Sequence, residues 1–150
     1  MRVILPFLFS FLFFSFQANA QLEKTIHQTF PLENRQTVTL DIYGDYELIP
    51  WAGDHILTES NIKLYDASEG ILEHFLKIGR YDMHIDSSSG SFILVSNDKE
   101  RRSVKTKNGD AYEFVKIKVF VPDAYAIIDE TTLALKSSPE TTPIPDEGGR

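Results

Sequence analysis

The amino-acid sequence predicts an all-β domain with mostly antiparallel or mixed sheet, arranged as a β-sandwich or solenoid-cap-like, carrying one short amphipathic helix. Three observations predict it. Runs of strand composition recur between Gly, Pro, Asn and Asp turn signals along most of the chain. One segment alone has helical spacing, and no alternation of strands with crossover helices appears.

The elements follow in order. Thr25 to Phe30 has strand composition and stops at Pro31, and Asn34-Arg35 marks a turn. Thr37 to Tyr43 alternates, with Val38, Leu40 and Ile42 facing a core and Thr37, Thr39 and Asp41 facing water. Gly44-Asp45 is a tight connection. Tyr46 to Trp51 resumes in extended form, and Pro50 places it at an edge or strand end because proline cannot donate to a ladder. After Gly53-Asp54, His55 to Tyr65 forms a third run with Ile56, Ile62 and Leu64 on one face and Leu57 and Glu59 on the other.

Ser68 to Gly79 breaks the strand pattern. Ile71, Leu72, Phe75 and Leu76 make one helical face, with Ser68 as cap, Glu69 in the first turn, Lys77 in the last and Gly79 in the left-handed closing position. A core Phe75 replaced by Ala would cost about 3–5 kcal/mol. Tyr81, Met83 and Ile85 then alternate with Asp82, His84 and Asp86. Ser91 to Ser96, apolar on both faces, reads as a central strand. Asn97 to Lys107 is polar, and Asn108-Gly109 is a turn signal. Tyr112 to Val121 is the longest strand: Val115, Ile117, Val119 and Val121 share one face, while Tyr112, Phe114 and Phe120 flank two lysines on the other. A weaker strand is expected within Tyr125 to Leu135, and residues 137–150 read as a disordered tail.

The N-terminus predicts the compartment. Arg2, a Phe-rich apolar stretch from Val3 to Phe14 and the Ala18-Asn19-Ala20 site form a secretory signal peptide, too short for a stable membrane helix. The expected organisation is residues 1–20 as signal, 21–136 as one β-rich domain and 137–150 as tail. Loss of Arg2 takes the 15 basic residues to 14 against 22 acidic, a net charge of −8 for the mature chain. That balance disfavours nucleic acid and anionic membranes as partners. With no Cys there is no disulfide framework, thiolate metal site, Cys nucleophile or lipid-accepting cysteine. The expected product is an exported bacterial protein, periplasmic or extracellular, with no transmembrane segment in the mature chain.

Thr37-Val38-Thr39-Leu40-Asp41-Ile42-Tyr43-Gly44-Asp45-Tyr46-Glu47-Leu48, followed by Trp51-Ala52-Gly53-Asp54 and a charged strand, resembles the opening of head-GIN-like adhesin domains of bacterial envelope proteins. Val119-Phe120-Val121-Pro122 resembles the boundary at which that family enters Gly-paced solenoid repeats. The resemblance spans Phe30 to Tyr125 and implies a β-rich envelope domain with no catalytic residues carried over. Asp123 to Lys136 contains no Gly, so the chain resembles the N-terminal portion without the repeats.

Three residue sets are candidates for chemistry. Asp82, His84 and Asp86 would share a strand face and are acceptable ligands for a divalent metal, with His27 or His55 as possible additions, although strand alternation alone produces such a face. Lys99, Arg101, Arg102, Lys105 and Lys107 form the one basic cluster, suited to an acidic glycan, lipopolysaccharide or protein surface, or to guarding a strand edge. Trp51, with Tyr43, Tyr46, Tyr65 and Tyr81, is a candidate sugar-stacking set, or else a hairpin anchor. His74 and the Ser87-Ser88-Ser89-Gly90 loop carry no catalytic pattern, and no cofactor is called for. The expected function is a non-enzymatic, adhesin-like envelope domain that binds an envelope protein or glycan. The alternative is a small periplasmic metal-binding protein or metal-dependent hydrolase using Asp82, His84 and Asp86.

Overall fold

A computed structural model describes residues 21–88, 90–107 and 109–137. The expected signal peptide and nearly all of the expected tail lie outside them. The described residues build ten strands and one helix: β1 (Leu22–Pro31), β2 (Thr37–Asp41), β3 (Tyr46–Trp51), β4 (His55–Tyr65), α1 (Glu69–Lys77), β5 (Met83–Asp86), β6 (Ile93–Ser96), β7 (Val104–Thr106), β8 (Gly109–Pro122), β9 (Tyr125–Ile127) and β10 (Thr132–Leu135). The fold is all-β with mixed sheets, as expected. Among the described residues no helix is long and apolar enough to cross a membrane.

Two five-stranded sheets face one another. One runs β1-β4-β8-β3, with β7 also paired to β8, and the other runs β5-β6-β2-β10-β9. The β3–β8 and β2–β6 pairs are parallel and the rest antiparallel. Phe30, Ile56, Ile117, Val119 and Val121 of the first sheet meet Val38, Leu40, Met83, Leu94 and Leu133 of the second in one buried cluster. This is sandwich packing, with inward residues alternating along each strand.

The first sheet is longer than the second, and α1 covers the remainder. Ile62 and Leu64 of β4 pack against Leu72 and Tyr81, with Ile71, Phe75 and Leu76 partly buried around them. Val115 of β8 touches both clusters. Across the gap between sheets, the Gln28 side chain on β1 accepts a hydrogen bond from Met83 N at 2.9 Å and donates to Met83 O at 3.3 Å. The amide thereby satisfies the backbone of the edge strand β5.

Several expectations are corrected. β2 ends at Asp41, where Ile42 and Tyr43 leave the ladder, and β6 starts at Ile93. The weak strand within 125–135 is a hairpin of two strands, and the polar 97–107 segment contains β7. Ser68 sits at the helix start, yet its side chain makes no capping bond; its carbonyl receives Ile71 N at 3.0 Å instead. The other end closes as expected. Gly79 has φ +69°, its N–H donates to Leu76 O at 3.1 Å, and Arg80 N–H donates to Phe75 O at 3.0 Å, the paired bonds of a Schellman stop.

Candidate functional site

That stop turns Arg80 inward. Its guanidinium donates to both Glu113 oxygens at 3.1 Å, to Asp98 Oδ2 at 3.0 Å and to the Arg102 carbonyl at 2.9 Å, while stacking 4.7 Å from the centre of the Phe75 ring. Glu113 occupies the inner face of β8, in line with Ala111, Val115 and Ile117. Arg80 is buried and the Glu113 side chain is only 12% exposed, and a carboxylate there requires a fixed cation. Burial disfavours the charge on Asp98, but N–H groups of Arg101 and Glu100 and the Arg80 charge outweigh it, holding its pKa below the ordinary value. Burial pushes the Tyr81 hydroxyl well up, with Glu113 adding to the shift, and that hydroxyl makes no hydrogen bond. This hub fixes the 97–103 segment and thereby the start of β7.

The structure disperses the basic cluster. Lys99 pairs with Asp41 on β2. Arg101 turns inward over the Tyr43 and Tyr81 rings, at 5.3 and 5.7 Å, and burial lowers its pKa. Arg102, Lys105 and Lys107 stay exposed beside the β7–β8 hairpin. Trp51 lies elsewhere: it pairs with Pro122, whereas Lys105 pairs with Asp110, so the two are separated by about 40 Å of strand at roughly 3.3 Å per residue. Trp51 donates to His55 O at 3.1 Å, and its indole fills the space where a Cβ on Gly53 would stand. It is a hairpin anchor.

The tyrosine set also separates. Tyr81 is buried, Tyr46 donates to Glu130 O, and Tyr65 alone lies on the outer sheet face near other rings. Tyr65 is paired with Tyr112 across β4 and β8, and meets Phe114 edge-on at 5.7 Å. Tyr112 and Phe114 are 60% and 59% exposed. They occupy the face that carries Lys116 and Lys118, and that alternation was the sequence signal for their exposure.

This aromatic platform borders a groove of about 940 Å³ between the start of α1 and the β7–β8 hairpin. Tyr112, Ser68 and Thr106 line it, with Lys105 and Lys107 as cations and Asp66 and Asp110 as anions. Lys105 pairs with Asp110 at 3.0 Å, an exposed contact that a ligand can exchange cheaply.

The metal candidate is not assembled. Asp82 precedes β5, His84 Nδ1 lies 2.6 Å from Asn97 Oδ1, and Asp86 accepts from Ser88 N at 2.9 Å. Among the described residues, no three His, Asp or Glu side chains converge in a way that could hold a metal ion. His27 pairs with Glu59 on the outer face, and His55 with Asp54. Compared with known proteins, the chain matches no model of a protein family, no curated protein and no solved structure.

Proposed function

We propose that the chain is an exported, non-enzymatic envelope domain that binds a glycan along the Tyr65–Tyr112–Phe114 platform and the adjoining groove. One observation carries this reading: two large rings more than half exposed, side by side on a sheet face and beside a groove of mixed polarity. A contiguous exposed apolar surface on a soluble domain marks an interaction site. Sugar rings present an apolar C–H face to aromatic rings and hydroxyls at their rim. Those hydroxyls need donors and acceptors together, which Lys105, Lys107, Asp66 and Asp110 supply.

The signal sequence and the adhesin-like opening pattern support export to the envelope. Affinity electrophoresis through gels containing envelope polysaccharides tests the binding. Retardation of the wild-type protein should be lost in the Tyr112→Ala/Phe114→Ala double variant and kept in His27→Ala, which alters a distant residue of the same face. No retardation by any polysaccharide, or equal retardation of the double variant, overturns the reading.

A further inference from the structure

The geometry points to a second binding site, for a small organic anion with a short apolar tail, in the pocket between α1 and β7. This pocket has a volume of about 390 Å³, within the range that accepts a small ligand. Ile71 and Phe75 from the helix and Val104 from β7 give it apolar walls. His74, Arg80, Arg102 and Lys105 supply its basic side chains, and no Asp or Glu lines it among the described residues. On a chain of net charge −7, such a one-signed lining selects the ligand by charge.

The cations differ in availability. Arg80 is committed to Glu113 and Asp98. Arg102 and Lys105 contact Glu100 and Asp110 from highly exposed positions, at 3.3 and 3.0 Å. Exposed pairs of that kind are weak, so a ligand carboxylate can compete for both side chains. The tail would lie against Ile71, Phe75 and Val104, leaving the carboxylate at the Arg102–Lys105 rim. The pocket shares Ile71 and Lys105 with the groove, whereas Tyr112 and Phe114 are no part of its lining.

Titration calorimetry of the mature protein with octanoate, below its micelle concentration, tests it, with octanol as the uncharged control. Octanoate should bind one-to-one and at least tenfold more tightly than octanol. Gly70→Trp should weaken octanoate at least tenfold, since Gly70 lines the pocket and a Cβ there has open space, with nothing within 4 Å. Arg102→Glu/Lys105→Glu should weaken octanoate and leave octanol unchanged, while Tyr112→Ala/Phe114→Ala leaves octanoate unchanged. Absence of saturable octanoate binding, octanol affinity within threefold of octanoate, or a change below threefold in Gly70→Trp overturns the proposal. The first two readouts need no variant, so they stand even where a substitution fails to fold.

Discussion

Arg80 joins three parts of the chain through one side chain: the helix stop, the polar segment before β7 and the inner face of β8. Removing one member of a buried, hydrogen-bonded ion pair leaves the other uncompensated, so Arg80→Ala should lose about 3–5 kcal/mol in urea denaturation. Replacing Arg80 by Met and Glu113 by Leu together should cost less than the single change, because no charge is then stranded in the interior. Gly79 is the neighbouring sensitive position. In Gly79→Ala the new Cβ would meet Asp82 Oδ2 at 2.9 Å, and the positive φ alone carries about 1–2 kcal/mol, read as a lowered melting temperature. Asp98 gives the pH dependence. Its carboxyl is more acidic folded than unfolded, so its stabilisation is present above about pH 4 and lost as pH falls through the folded value. Urea midpoints measured from about pH 6 to about pH 3 should fall more steeply for wild type than for Asp98→Asn. The Gly79 stop was legible because glycine after an amphipathic stripe is a helix signal. The Arg80–Glu113 pair was not singled out, although Glu113 interrupting the Ala111–Val115–Ile117 face was its visible trace.

At the scale of elements, period and punctuation located β3 and β4 with the right ends, and α1 to within a residue or two. Pro31 and Pro122 mark strand ends because each lacks a donor N–H. The ladder ends of β2 and β6 were less visible, since they depend on partners distant in sequence. Tyr125 to Leu135 reads as one run by composition, and its fold into β9 and β10 rests on a turn without Gly or Pro. The helix face is correct, yet Phe75 is only partly buried between Arg80 and Tyr81. Phe75→Ala should therefore cost less than the about 3–5 kcal/mol of a fully buried phenylalanine, as calorimetric unfolding would show. The basic cluster could not be placed from sequence. The five cations lie within nine residues, yet Lys99 pairs with Asp41 and Arg101 turns inward, while Arg102, Lys105 and Lys107 stay beside the β7–β8 hairpin.

For the whole molecule, the sandwich and helix cover the inner side of the longer sheet and leave its outer face exposed, and at one end of that face rings and charged side chains come together. Sequence showed the ring-bearing strand, but not that this strand end meets the start of α1; that depends on the pairing of β4 with β8. Mass spectrometry of the exported protein should find an N-terminus at Gln21. The same pairings bear on time. Tyr46 lies against Ile117, and Thr39 lies between Ile93 and Thr132, so β2 and β3 have no sheet neighbour until later strands arrive. Such distant partnerships slow folding, because a long loop must close before its contacts stabilise anything. A chain emerging from a ribosome or a translocation pore would hold β2 unpaired until β6 had emerged, and β3 unpaired until β8 had.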